Sequence, residues 1–106
     1  MKKFDTFWND LIIKLRRSQK IKNWTVKKGF FGEDFTAQTN RNSILCITQK
    51  GSEQCVSRKD FELVYENWEG YISGRISRSD LCESRFTKYT ISIIHQFLKD
   101  LSIDNQ

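Results

Sequence analysis

The sequence predicts an α+β fold: an N-terminal helix, an antiparallel meander of three to four strands, and two or three C-terminal helices packed on one sheet face. Apolar residues recur at helical spacing near both ends of the chain. Between them, residues 21–56 form short β-branched and aromatic runs cut by Gly, Asn and Ser turns. No proline, repeat or low-complexity tract interrupts the 106 residues, so the chain reads as one domain, 1–106, without a linker.

Phe4, Phe7, Trp8, Leu11, Ile12 and Leu15 share one helical stripe, which predicts a helix over 3–18. Lys3, Asp10, Lys14 and Arg17 fall on its other faces, and Arg16, Arg17 and Lys20 at its end complement the carbonyl end of the dipole. Strands are predicted at 24–26, 35–37, 44–48 and 53–56, separated by Gly29, by Gly32-Glu33-Asp34, by Asn40-Arg41-Asn42 and by Lys50-Gly51-Ser52. Phe30 and Phe31, between the first two strands, either cover the sheet edge or lie exposed.

A second helix starts sharply. Ser57 is placed as its N-cap, Asp60 stands at the third helical position, and Val56 and Phe61 form a hydrophobic staple. Phe61, Val64, Tyr65, Trp68 and Ile72 continue the stripe until Gly74 stops it. A short helical turn capped by Ser77 or Ser79 then holds Leu81 and Cys82. The last helix, 85–100, buries Phe86, Tyr89 or Thr90, Ile93, Ile94, Phe97 and Leu101, and 102–106 reads as frayed.

Composition excludes several classes. With 38% hydrophobic, 13% aromatic and 29% charged residues, the chain reads as globular rather than disordered. At this length it buries about two-thirds of its unfolded surface and needs neither metal nor disulfide to fold. The longest apolar runs, 44–47 and 11–13, are far too short for a membrane span. Met1-Lys2-Lys3-Phe4-Asp5 leads into polar residues instead of a signal-peptide core, which predicts a cytoplasmic protein. Three cysteines without a CxxC pair predict no zinc site. Cys46 and Cys55 flank Lys50-Gly51: a two-residue turn sets them opposite each other, whereas Gly51 as a bulge slips the register by one and sends them to different faces. In a reducing compartment all three cysteines read as small buried hydrophobes. Without a secretory signal, Asn23-Trp24-Thr25 carries no meaning as a glycosylation acceptor.

Catalytic chemistry finds little support. The single histidine, His95, falls off the apolar stripe of the last helix and reads as a solvated surface residue with no acid beside it in sequence. Glu62, Glu66 and Glu69 read as one solvated acidic helix face, with metal binding as the sharper alternative. No Glu-x-Lys or Asp-x-Lys nuclease pattern, phosphate loop, nucleophile elbow or His-Glu-x-x-His motif exists. The expectation is a protein that is not an enzyme, with no cofactor and no metal.

Charge is more informative. Residues 1–32 carry nine basic and two acidic residues, a net +7, whereas 33–106 are net −2. Arg16, Arg17, Lys20, Lys22, Lys27 and Lys28, with Trp24, Phe30 and Phe31 among them, combine cations and aromatics as phosphate contacts and base stacking require. The alternative keeps Trp24 and Phe31 in the core and the lysines as solubilisers of an edge strand. Residues 74–94 are similar to a helix-turn-helix, with Leu81 on the first helix and 87–92 opening the second. The missing turn glycine and a Leu81-to-Ile91 spacing about one residue short favour a helical hairpin that completes the core.

Across residues 57–98, Phe61, Trp68, Tyr71, Gly74, Ile76, Arg78, Leu81 and Tyr89 form a pattern that resembles small uncharacterised bacterial proteins of mobile gene cassettes and related restriction-type elements. The resemblance implies no activity. The expected function is a small binding protein that engages nucleic acid or another polyanion through residues 16–31, aided by Arg75, Arg78 and Arg85. The alternative is a protein-interaction module, as a homodimer or with an acidic partner, using a sheet edge or Phe30-Phe31. No membrane partner is expected.

Overall fold

The computed structural model describes residues 2–81 and 87–104, with side chains through Leu98. In chain order the elements are α1 (Phe4–Lys14), β1 (Gln19–Ile21), β2 (Trp24–Thr25), β3 (Gly29–Phe30), β4 (Phe35–Asn40), β5 (Ser43–Ile47), β6 (Glu53–Ser57), α2 (Arg58–Glu66), α3 (Trp68–Ile72), a 3-10 turn (Arg78–Leu81) and α4 (Thr87–Asp104). This is the α+β arrangement expected from the residue pattern.

Four antiparallel strands make the main sheet in the order β1-β4-β5-β6. Strand alternation sends Ile21, Phe35, Ala37, Ile44, Cys46 and Val56 to one face, where all are buried. The helices lie on that face: Phe7, Trp8, Leu11 and Leu15, then Phe61, Val64 and Tyr65, then Ile91, Ile93, Ile94 and Phe97 join the sheet residues in one hydrophobic cluster. Ring contacts pin α1 to α2, with Phe7 stacked on Tyr65 at 4.6 Å and Trp8 tilted against Phe61 at 5.3 Å. The opposite sheet face carries Lys20, Thr36, Gln38, Leu45 and Cys55, none of them buried.

The first helix ends at Lys14, four residues before the predicted end at 18. Its last carbonyls find partners in the sheet: Thr39 N–H donates to the Leu15 carbonyl at 2.7 Å, and Thr39 Oγ1 donates to the Ile12 carbonyl at 2.6 Å. Gln19 Nε2 donates to the Lys14 carbonyl. Arg16 and Arg17 consequently lie in a turn and Lys20 in a strand, outside the helix whose dipole they were expected to complement.

The first strand also differs from expectation. Main-sheet pairing begins at β1, and the predicted strand at 24–26 instead forms a separate two-stranded hairpin, β2-β3. Ser92 on α4 draws Trp24 out of the sheet line: the Trp24 N–H donates to Ser92 Oγ at 3.0 Å. The outer edge of β1 is closed by a side chain rather than a strand. Gln96 Nε2 donates to the Lys20 carbonyl at 3.2 Å, and the Lys22 N–H donates to Gln96 Oε1 at 3.3 Å.

The hairpin of β5 and β6 takes the slipped register. Leu45 pairs with Cys55 and Cys46 with Gln54, around a loop in which Gly51 has φ +90° and Thr48 N–H donates to the Ser52 carbonyl. Cys46 is therefore buried and Cys55 exposed, which corrects the expectation that all three thiols are buried; Cys82 lies outside the described residues. Burial, with the neighbouring Cys55 adding to it, pushes the Cys46 thiol up to about 12.

Ser57 caps α2, its Oγ accepting from the Asp60 N–H, and the stapled Val56 and Phe61 are both fully buried. The predicted single helix to Gly74 breaks at Asn67, whose N–H turns to the Val64 carbonyl and whose Nδ2 donates to the Leu63 carbonyl at 2.8 Å. The break rotates the following turn so that Trp68 and Tyr71 face inward, leaving Ile72 exposed rather than on the core stripe. After Gly74, Ser77 caps the 3-10 turn through Asp80, and Leu81 is buried. α4 runs to Asp104, so 102–104 continue the helix, while Phe86 and Arg85 lie outside the described residues.

Candidate nucleic-acid interface

The β2-β3 hairpin is short enough that its own pairing cannot hold it, and its anchors come from the helices beneath. Ser92 binds the Trp24 backbone, and Tyr71 Oη accepts from the Val26 N–H at 3.1 Å. Within the hairpin, Lys28 N–H donates to Thr25 Oγ1, Gly29 takes a left-handed φ of +66° at the turn, and Phe31 N–H donates to the Asn23 carbonyl. Asn23 Nδ2 donates to the Glu33 carbonyl and closes the base.

The Trp24 ring lies flat on His95, 3.8 Å between centres and 7° from parallel, and packs against Trp68 at 6.3 Å. His95 was expected to be solvated; it is half-buried in an aromatic layer, with Phe30 meeting it edge-on at 5.8 Å. Phe30, opposite Trp24 in the hairpin register, remains 60% exposed, and Phe31 is exposed beside it. Each ring has a lysine at hand: Lys22 Nζ stands 5.9 Å from the centre of Phe30, and Lys28 Nζ 5.3 Å from that of Phe31.

The fold thus brings Lys22, Trp24 and Lys28 together with Phe30, Phe31 and His95, and leaves Lys27 exposed in the connecting turn. Exposed Arg16 and Arg17 occupy the α1–β1 turn, and exposed Lys20 projects from the outer sheet face. Arg75 and Arg78 are exposed on the segment after α3, Arg75 donating to Ser73 Oγ at 3.0 Å. No acidic residue occurs from 16 to 32, so every charged side chain of the hairpin itself is cationic, with exposed Glu33 following at its base. Sequence reasoning missed His95, Ser92 and Tyr71. Their roles arise from contacts spanning 45–71 residues, for which no local pattern exists.

Other candidates dissolve on inspection. Leu81 sits in a 3-10 turn rather than an α-helix, and of residues 87–92 only Lys88 is exposed, so the opening of α4 offers a DNA groove one side chain rather than a face. The helix-turn-helix likeness fails on that burial. Glu62 and Glu66 border an open cleft with Lys2, Lys3 and Tyr65, whereas Glu69 falls beyond the Asn67 break, so the three do not form one continuous helix face. Among the described residues no three His, Cys, Asp or Glu side chains gather with metal-binding geometry. No helix among them is long and apolar enough to cross a membrane. Comparison with family models, curated proteins and solved structures finds no match to this chain.

Proposed function

We propose that this chain is a small, non-enzymatic nucleic-acid-binding protein of the cytoplasm that contacts its ligand through the hairpin spanning residues 22–31. The observation that carries the reading is the pairing of two exposed phenylalanines with two lysines on a hairpin anchored from below. Phosphates meet Lys22, Lys27 and Lys28, with Arg16, Arg17 and Lys20 extending the cationic surface and Arg75, Arg78 and Arg85 adding peripheral charge. Heparin would use the same cations but gain nothing from the rings, whereas an acidic protein would have to bring apolar side chains to cover them.

Fluorescence anisotropy with labelled nucleic acid tests this directly. Affinity should fall steeply as salt rises from about 50 to about 200 mM, because each neutralised phosphate releases counterions. The double change Lys27→Ala, Lys28→Ala should weaken binding and lower the salt slope by roughly one unit per lost contact, with the melting temperature almost unchanged. Absence of binding to both DNA and RNA at about 50 mM salt sinks the proposal.

A second reading rests on β6, the terminal strand of the sheet at the end away from the Gln96-covered β1. Self-association through that edge would give a dimer in size-exclusion chromatography that persists at high salt and ignores nucleic acid.

A further inference from the structure

We infer that the ligand of the hairpin is an unpaired nucleic-acid strand, held by stacking of its bases on Phe30 and Phe31; this rests on the nucleic-acid reading above. Reading a duplex groove takes an inserted helix or a long two-stranded ribbon. Here residues 87–92 at the opening of α4 are buried except Lys88, and β2 and β3 contribute two residues each, so neither element fits a major groove. Duplex binding would be left to backbone charge alone.

The hairpin surface supplies what a single strand needs. Phe30 is the most exposed large apolar side chain among the described residues, and Phe31 follows it in the chain. A ring exposed to that degree has area for a base to cover, and every base has a π-face to offer. Beneath Phe30, the Trp24 ring stacks on His95 and packs against Trp68, and Phe30 meets His95 edge-on, so the exposed ring rests on a packed aromatic layer. Lys22 and Lys28 stand within 6 Å of the two ring centres, close enough for a stacked nucleotide to bring its phosphate to a cation. A polyanion without bases would leave the rings in water.

Charge and stacking predict opposite preferences, which makes the inference testable. A duplex has the denser phosphate charge, so a purely electrostatic surface favours the duplex. Stacking favours the unpaired strand. The experiment compares mixed-sequence DNA and RNA strands of about 16 nucleotides with their duplexes and with heparin, using wild-type, Phe30→Ala and Phe31→Ala proteins. Both rings are exposed, and circular dichroism and a melting curve verify that the variants fold. The expected result is tighter binding of the single strands than of duplexes or heparin. Each alanine change should weaken single-strand binding by roughly 5- to 150-fold while duplex affinity and salt slope stay put. Preference between the DNA and RNA strands would tell which source supplies the bases. Duplex binding as tight as single-strand binding, or alanine variants that bind as wild type does, overturns the stacking inference and leaves nucleic-acid binding standing. Failure of all nucleic acids to bind overturns both.

Discussion

Cys46 and Cys55 show how much a single residue of register decides. One more or one fewer residue in the loop around Gly51 would place both thiols on the same sheet face. In the observed register Cys46 is sealed in the core while Cys55 is exposed, with Asn40 Nδ2 3.5 Å from its sulfur. A brief pulse of thiol reagent on native protein, followed by peptide mapping, should therefore modify Cys55 and spare Cys46, with Cys46 reacting after denaturation. Labelling of Cys46 at a comparable rate would show that the register is wrong. The sequence narrowed this hairpin to two registers. The choice between them lay in the conformation of Thr48 to Ser52, where a left-handed Gly51 and the Thr48–Ser52 hydrogen bond set the loop.

At the scale of elements, α2 and α3 separate local from tertiary contributions to stability. Ser57→Ala removes a cap whose effect is local and should cost about 1 kcal/mol. Trp68→Ala removes a ring that packs on both Trp24 and Tyr71 and is 7% exposed, and should cost about 3–5 kcal/mol. Urea or thermal melts of the two variants check the ranking, and equal losses would mean that the hairpin is not seated on Trp68. The start of α2 was legible because cap and staple lie within six residues of each other. Its break at Asn67 was not, because apolar spacing through Trp68 fits a continuing helix and nothing in the stripe marks the side-chain bond back to Leu63. The hairpin was illegible for a further reason. Trp24-Thr25-Val26 has the composition of a sheet strand, and the competing pull comes from Ser92, 68 residues away.

For the molecule as a whole, three buried or half-screened acids act in the same direction at high pH. The Cys46 thiol is held up to about 12 from its usual 9.0, and burial also raises Tyr65 and Tyr89 above the usual 10.0. In the unfolded chain these groups ionise at their ordinary values, whereas in the folded chain they keep their protons longer. Their contribution is complete below pH 9.0 and is lost as pH rises from 9.0 toward about 12. Chemical denaturation across that range should show stability falling with pH, and Cys46→Ala should flatten the early part of the fall. A flat profile in the wild-type protein would mean that Cys46 is reached by solvent.

The α+β order, the N-terminal helix stripe and the cap of α2 were all written locally, since each follows from side chains within a few turns of one another. The cationic bias of residues 16–31 was equally plain, being a matter of composition. Whether those cations stood beside exposed rings was not local. It depended on α4 supplying Ser92 and His95 beneath Trp24, and on Gln96 closing the edge of β1, contacts that exist only once the chain has folded back across 68 to 76 residues. Burial is a property of surfaces brought together, so the same Phe30 and Phe31 were compatible with core or solvent until Trp24 took the place against His95 and Trp68 and the two phenylalanines were left exposed.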